Sequence, residues 1–175
     1  MISKIYSAAL RGVEAVEVEV EVAAREADGA NAGRINIVGL PDAAVRESGD
    51  RVTTAILASA LNFVYGVHTV NLAPADLKKE GPSFDLPIAL AMIACEQEEG
   101  LSQARDLMIV GELALDGTLR PVKGALSIAL GAKAAGRRRL LLPEQNAREA
   151  AMVSGLEVYG LRSLHEAWQF VTGKE

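Results

Sequence analysis

"TVNLAPADLKKEGPSFDLPIALA", residues 69–91, predicts a strand, a loop and a helix in direct succession. The strand ends in a proline, and the helix covers residues 86–98, with Pro87 in its first turn, where no backbone donor is needed. Glycine, proline and Ser83 stand between them, which is one way to present a serine nucleophile. The alternative role for Ser83 is to cap the helix by accepting a backbone N–H, and Asp85 competes for that role.

The segment before this region alternates strictly between apolar and acidic residues. "AVEVEVEVA", Ala15–Ala23, places its valines on one face of a strand and Glu17, Glu19 and Glu21 on the other. Neighbours on one strand face lie about 7 Å apart, so the glutamates are interpreted as a solvated face rather than a metal or catalytic array. The sequence "RINIVGL", residues 34–40, predicts a second strand, which we expect to pair with the first as a hairpin.

Helices and strands alternate along the rest of the chain. Residues 43–61 have helical spacing with a break or kink at Gly49. The predicted order in the second half is strand 106–115, turn and strand restart 117–119, helix 124–136, strand 139–143, helix 144–153, strand 156–161 and helix 163–173. This order predicts an α/β fold with a parallel or mixed sheet covered by helices.

Length and composition limit the class of protein. The chain has 175 residues, 50% of them apolar, which predicts one domain with a substantial core. Apolar runs such as Leu86–Cys95 are shorter than the roughly 20 residues of a membrane-spanning helix, and no secretory signal is recognised, so we expect a cytoplasmic location.

The net charge of −5 argues against nonspecific binding of nucleic-acid phosphates by the whole surface. One cysteine, interpreted as a core residue, and two separate histidines predict no metal site.

The stretch "GAKAAGRRR", residues 131–139, is the nearest approach to a phosphate-binding loop. A P-loop requires glycine-rich backbone followed by lysine and a hydroxyl, and here only Gly131 and Gly136 have a suitable separation. They are interpreted as a helix-packing position and a helix C-cap. We therefore expect no cofactor in this chain, and any ATP chemistry requires another domain.

Three blocks of sequence carry a resemblance to a known family. They are "IVGLPDAAVRESGDRV" (37–52), "TVNLAPADLKKEGPSFDLPIALA" (69–91) and "VGELALDGTLRPVKGALSIALGAKAAG" (110–136). In this order they resemble the N-terminal domain of the ComM/YifB family, bacterial Mg-chelatase-like AAA+ ATPases, over essentially the whole chain. The resemblance implies that residues 1–175 form a single Lon-like domain. Its fold is an α/β sandwich like the Lon proteolytic domain and the second domain of a small-subunit ribosomal protein.

The same resemblance implies functional expectations. The family's AAA+ motor domain, with its ATP and Mg²⁺, is absent from this chain, which is expected to be a non-catalytic accessory domain. Family members are linked to DNA branch migration in natural transformation. The implied partners are the motor domain in cis and DNA through a hexameric full-length ring, while the fragment alone is expected to be monomeric. Metal insertion into a porphyrin is a further alternative, but it follows only from the motor's similarity.

Comparison with Lon-type peptidases sharpens the alternatives for Ser83. "GPSFD" resembles the "GPSAG" around the Lon nucleophile, and "GELALDGTLRPVKGAL" resembles the segment with the lysine base, with Leu126 at the lysine position. Because a serine hydroxyl is a poor nucleophile without a proton acceptor, the dyad is predicted to be incomplete. Lys123, three residues earlier, is the nearest replacement, and Lys78 and Lys79 are expected in a flexible stretch. An active Lon-type serine peptidase that uses Ser83 is the alternative hypothesis.

Basic residues around one predicted helix are the candidates for DNA contact. They are Arg120, Lys123, Lys133, Arg137, Arg138 and Arg139. The alternative is that these cations complement the carboxyl end of the helix and stay solvated.

Overall fold

The computed structural model describes residues 2–97, 101 and 104–173, and it confirms most of the predicted elements. The strands are β1 (Ile2–Arg11), β2 (Glu14–Glu26), β3 (Ile35–Val38), β4 (Gly66–Ala73), β5 (Leu107–Ile109), β6 (Glu112–Leu113), β7 (Leu119–Arg120), β8 (Arg139–Pro143) and β9 (Glu157–Leu161). The α-helices are α1 (Ala43–Arg46), α2 (Ser48–Ala58), α3 (Asp85–Ala94), α4 (Ala125–Ala134), α5 (Glu144–Ala150) and α6 (Leu164–Val171). Residue 98, the predicted end of α3, lies outside the described residues.

Among the described residues, seven strands form one sheet in the order β3-β4-β2-β1-β5-β8-β9. β2 is antiparallel to both of its neighbours, whereas the other adjacent pairs are parallel. All the strands of this sheet except β2 therefore run in one direction, and their carboxyl ends meet at one edge. β6 and β7 pair as a separate antiparallel hairpin. The mostly parallel, helix-covered α/β sheet confirms the predicted fold class.

Helices pack on both faces of the sheet, which gives three layers. The alternation in β2 shows the cause, because Val18, Val20 and Val22 are fully buried in one core cluster with α2, α3 and α6. A second cluster, on the opposite face, joins α4 and α5 to β5 and β8. All of α3 is buried, as expected of a helix that is apolar on every side.

The predicted hairpin between residues 15–23 and 34–40 is wrong. β2 pairs along its length with β1 instead, through a tight turn at Gly12, which has a φ of 65°. β3 pairs in parallel with β4 at the edge of the sheet. β1 escapes prediction because the side chains it buries include the small residues Ser7 and Ala9, so its apolar alternation is weak.

The two glycines near α4 behave as predicted, whereas Gly49 does not mark the break between helices. A Cβ on Gly131 would lie 2.7 Å from the carbonyl oxygen of Ala15, so glycine allows α4 to approach β2. Gly136 has a φ of 81° just beyond α4, as a helix C-cap requires. The break between α1 and α2 is at Glu47, two residues before the predicted Gly49, which itself lies within α2. None of the described helices has the length and apolar character needed to cross a lipid bilayer.

The glutamate face of β2 is less solvated than predicted. Glu17 accepts hydrogen bonds from two nitrogens of Arg137, at 2.7 and 2.9 Å. Glu19 forms a salt bridge of 3.1 Å with Lys4 of β1. These pairs are possible because α4 covers this face of the sheet only in part.

Candidate functional site at the carboxyl edge of the sheet

The loop that carries Ser83 lies at the carboxyl edge of the sheet, where open α/β folds commonly bind ligands. It leaves β4 and enters α3 through a 3-10 turn, Pro82–Phe84. The Gly111 N–H, just after β5, donates to the Ser83 carbonyl oxygen at 2.9 Å, and the Leu86 N–H donates to the Gly111 carbonyl oxygen at 3.0 Å. The start of α3 is therefore fixed against the end of β5.

Asp42 connects the loop after β3 to the Ser83 loop. Its Oδ1 accepts the N–H of Val45 at 2.8 Å and caps α1, and its Oδ2 accepts the N–H of Gly81 at 3.0 Å. Beside it, the Lys79 N–H donates to the Leu40 carbonyl oxygen at 3.0 Å. The Asp42 N–H donates to the Lys79 carbonyl oxygen at 2.9 Å. The position of the Ser83 loop thus depends on a carboxylate from a neighbouring loop.

Ser83 is half-buried, and its hydroxyl makes no hydrogen bond to any residue that the structure describes. The predicted capping role is wrong, since neither the 3-10 turn nor α3 has a side-chain cap. The N-cap position of α3 is occupied by Phe84. The side chain therefore lacks both the capping contact and, within the described part of the chain, a hydrogen-bonded proton acceptor.

Asp85, the competing cap, is instead a fully buried acceptor in a polar network. Its carboxylate accepts from Ser48 Oγ at 2.6 Å and from Arg51 Nε at 2.8 Å. The carboxylate also accepts hydrogen bonds from a second Arg51 nitrogen and from the Leu113 N–H, each at 3.1 Å. Hydrogen bonding to Asp85 raises the pKa of the Arg51 guanidinium above its ordinary value. The network joins α2, α3 and β6 behind the Ser83 loop.

Sequence patterns alone did not reveal this network. Ser48 and Arg51 lie 37 and 34 residues before Asp85, so no local periodicity relates them. One signal was available, because an aspartate at the start of an otherwise apolar helix requires a partner once that helix is buried. Ser48 and Arg51 are also three residues apart, which places them on one face of α2.

The expected flexibility of Lys78 and Lys79 is wrong for Lys79. Its side chain is fully buried, and its ammonium donates a hydrogen bond to the carbonyl oxygen of Pro74 in the same loop. Burial lowers the pKa of Lys79 from its ordinary value, and Asp76 acts in the opposite direction. Lys78 is exposed, as expected of a solvated lysine. The buried amine of Lys79 contacts its own loop and makes no hydrogen bond to Ser83.

The other half of the hypothetical dyad belongs to a different layer. Leu126 lies in the first turn of α4, across the sheet from α3, and is 38% exposed. Lys123 is exposed and precedes the helix, from which the left-handed residue Gly124 separates it. No hydrogen bond in the described ranges links Lys123 to Ser83.

Two of the candidate DNA-binding arginines are already paired with carboxylates. Arg137 binds Glu17 and lies 3.6 Å from the centre of the Tyr6 ring. Arg139 lies 2.6 Å from Asp106, and this hydrogen bond lowers the pKa of the aspartate. Both guanidinium groups therefore have structural partners within this chain.

The other candidates are more accessible. Lys133 is exposed and donates to the carbonyl oxygen of Ser154 at 2.8 Å. Arg120, Lys123 and Arg138 are exposed, and their side chains form no hydrogen bond or salt bridge with any described residue. The charges of these three side chains are therefore available to interact with a binding partner.

Comparisons with known proteins agree with the fold and the loop motifs. The sequence profile of the family described as subunit ChlI of Mg-chelatase matches residues 18–146. The chain is 39% identical over 171 residues to the competence protein ComM of Haemophilus influenzae and 36% identical over 173 residues to YifB of Escherichia coli. These alignments cover 98% and 99% of this chain and 33% of each relative, so the chain spans about a third of their length.

A weaker similarity connects the chain to Lon proteases. Lon protease 4 of Sorangium cellulosum is 31% identical over 127 residues, which cover 67% of this chain and 15% of the protease. The resemblances to the ComM/YifB family and to the Lon domain that the sequence blocks predicted are thereby confirmed.

Proposed function

Because the chain belongs to the family described as subunit ChlI of Mg-chelatase, we propose that it is the N-terminal accessory domain of a ComM/YifB-type AAA+ ATPase. In this proposal the motor domain of the longer protein binds ATP and Mg²⁺ and assembles a hexameric ring in the cytoplasm. The accessory domain arranges this ring or guides DNA during branch migration in natural transformation. It performs no chemistry of its own.

One observation supports the non-catalytic role above the others. The Ser83 hydroxyl has no hydrogen-bonded acceptor among the described residues, and a leucine stands where Lon-type peptidases carry their lysine base. Without a base to remove its proton, a serine hydroxyl does not attack a peptide at a useful rate. The Gly-Pro-Ser loop then serves as a scaffold, since its backbone is bonded to Asp42 and to Gly111.

Labelling with a fluorophosphonate probe tests this assignment. We expect the 175-residue chain and its Ser83→Ala variant to give the same background signal, while an active Lon protease is labelled stoichiometrically in the same experiment. Stoichiometric labelling of the unmodified chain that disappears in Ser83→Ala would overturn the non-catalytic proposal.

The accessory role is tested in the full-length protein. Removal of the N-terminal domain is expected to slow branch migration of a DNA junction while ATP hydrolysis by the motor persists. Branch migration at the full rate without the domain would contradict an accessory function.

An active serine peptidase is the second candidate, because Lon proteases are among the relatives and Ser83 lies at the carboxyl edge of the sheet. It predicts hydrolysis of unfolded protein substrates that is lost in Ser83→Ala. A shift of Lys79 out of its buried position would then be needed to supply a base. A Lys79→Met variant tests this second candidate, because a peptidase that uses Lys79 as its base loses the hydrolysis of unfolded protein with this change.

A further inference from the structure

Helix α4 carries two exposed leucines on the face turned away from the sheet. Leu126 is 38% exposed and Leu130 is 54% exposed. They are four residues apart, so they lie one above the other on the helix surface. The residues that α4 buries against the sheet form a different face and are Ala125, Ile128, Ala129 and Ala132. The leucines are therefore not part of the core.

The two leucines border the neighbouring helix α5. Lys133 continues their stripe by one further turn, and its Nζ lies 2.8 Å from the carbonyl oxygen of Ser154, shortly after α5. At the other end, the Asn146 side chain exchanges hydrogen bonds of 2.8 and 3.0 Å with the backbone of Val122. α4 and α5 thus lie side by side, joined near both ends. Met152, which is 73% exposed, lies two residues beyond the last residue of α5.

We call Leu126, Leu130 and Met152 the α4–α5 apolar surface. Its aliphatic and thioether groups have no described partner that would remove them from water. Clusters of exposed large apolar side chains are characteristic of sites where another protein binds. Nucleic acid is a poorer match, because recognition of its backbone depends on cations rather than on aliphatic side chains.

Positive charge frames this surface. Lys123 lies just before α4, outside the helical stripe, and Lys133 lies one turn beyond Leu130. The hydrogen bond between Lys133 and Ser154 involves a neutral carbonyl group, so it leaves the charge of the ammonium uncompensated. α5 carries one exposed cation, Arg148, and two exposed carboxylates, Glu144 and Glu149, so the positive charge beside the leucines comes from the residues of and before α4. An occupant with carboxylates beside an apolar stripe would therefore complement both features.

We propose that the α4–α5 apolar surface docks an amphipathic helix with an acidic flank, supplied by the motor region of the full-length protein. This inference rests on the proposed function. About two thirds of the length of the ComM and YifB relatives lies outside the segment that this chain matches, which provides a source for such a helix. Its apolar residues at helical spacing would contact Leu126 and Leu130, and its carboxylates would contact Lys123 and Lys133.

The proposal also gives a physical role to the leucine at the Lon base position. An exposed leucine contributes nothing to the core, yet burying it under a partner removes its surface from water, which stabilises the complex.

Binding between the 175-residue chain and the separately produced motor region tests the docking surface. Titration calorimetry is expected to show a complex whose affinity falls at least tenfold in the double variant Leu126→Glu/Leu130→Glu. Leu57→Glu is the matched control, since Leu57 is 62% exposed on α2 in the other helix layer, and its affinity should equal that of the unmodified chain. Both variants should keep the original melting temperature because they change exposed positions.

The dependence of the affinity on charge is a second, independent test of the docking surface. Lys123→Glu should weaken the complex several-fold, and the affinity of the unmodified chain should decrease as salt concentration rises. Full affinity of Leu126→Glu/Leu130→Glu, or no complex with the unmodified chain, would overturn the proposal. It would also be overturned if sedimentation showed that this surface joins two copies of the chain, or if the leucine substitutions abolished DNA binding alone.

The branch-migration assay separates this inference from the proposed function. A full-length protein that docks its motor region through Leu126 and Leu130 but does not move DNA junctions would refute the function and leave the docking surface intact. A full-length protein that moves junctions, but whose motor region binds the Leu126→Glu/Leu130→Glu chain with full affinity, would refute the docking surface alone.

Discussion

Arg51 contacts the buried carboxylate of Asp85 with two nitrogens, at 2.8 and 3.1 Å, and so ties α2 to the first turn of α3. This pair lies directly behind the Ser83 loop. Because Asp85 is fully buried, its charge depends on these contacts for compensation.

Removal of the Arg51 guanidinium should therefore destabilise the fold strongly. Arg51→Met leaves the buried carboxylate without its cation, and we expect a loss of about 3–5 kcal/mol in the free energy of unfolding. Glu47→Gln is the control, because the Glu47 side chain is 70% exposed and lies 3.6 Å from Arg51, so its loss should cost less than about 1 kcal/mol. Urea unfolding measures both values. Equal effects of the two substitutions would show that the buried pair is not a major contributor.

Replacement by alanine should change the free energy of unfolding by different amounts at two serines near helix starts. Ser163 Oγ accepts the N–H of Glu166 at 3.1 Å and caps α6, so Ser163→Ala should lower the free energy of unfolding by about 1 kcal/mol. Ser83 caps no helix, so Ser83→Ala should change it by less than about 0.5 kcal/mol. Thermal and urea unfolding provide the measurement. A larger loss at Ser83 than at Ser163 would restore the capping interpretation that the structure rejects.

His68 should make stability depend on pH. It is fully buried, neither ring nitrogen has a described hydrogen-bond partner, and burial lowers its pKa from 6.5. Below the pKa of the unfolded chain, the unfolded state binds a proton that the folded state excludes. The stabilising contribution is therefore complete above about pH 6.5 and is lost as the pH falls, by up to about 1.4 kcal/mol per pH unit.

Urea unfolding between about pH 7.5 and 5 measures this dependence. His68→Leu should reduce the slope. An unaltered slope in His68→Leu would assign the pH dependence to other groups.

Charge reversal should separate DNA contact from structural pairing in the full-length ring. Arg138→Glu, combined with the same change at Arg120 and Lys123, removes cations that form no hydrogen bond or salt bridge with the described residues, and it should weaken DNA binding and its salt dependence. Arg137→Glu should instead lower stability, because it places a carboxylate against Glu17. Filter binding at several salt concentrations, with melting temperatures as the control, distinguishes these effects. Unchanged DNA binding in the triple variant would rule these three residues out as DNA contacts.

Local patterns identified most elements but not their partners. The alternation in residues 15–23 and the helical spacing of 124–136 are confirmed, because each reports which side chains face a core within a single element. Strand pairing depends on contacts between distant segments. The prediction placed β3 beside β2, but β2 pairs with β1, whose apolar pattern is weak, on one side and with β4 on the other. The unpredicted partners of Asp85 have the same origin.

The sequence by itself determined the α/β class, the Gly-Pro-Ser loop and the leucine at the lysine position, since these depend only on residue type, order and periodicity. Tertiary structure alone decided that Lys79 is buried, that Asp85 binds Arg51 rather than capping α3, and that Arg137 pairs with Glu17. The physical reason is that burial and pairing depend on which distant groups the packed layers bring together, and the pKa and the availability of a charged side chain depend on those groups.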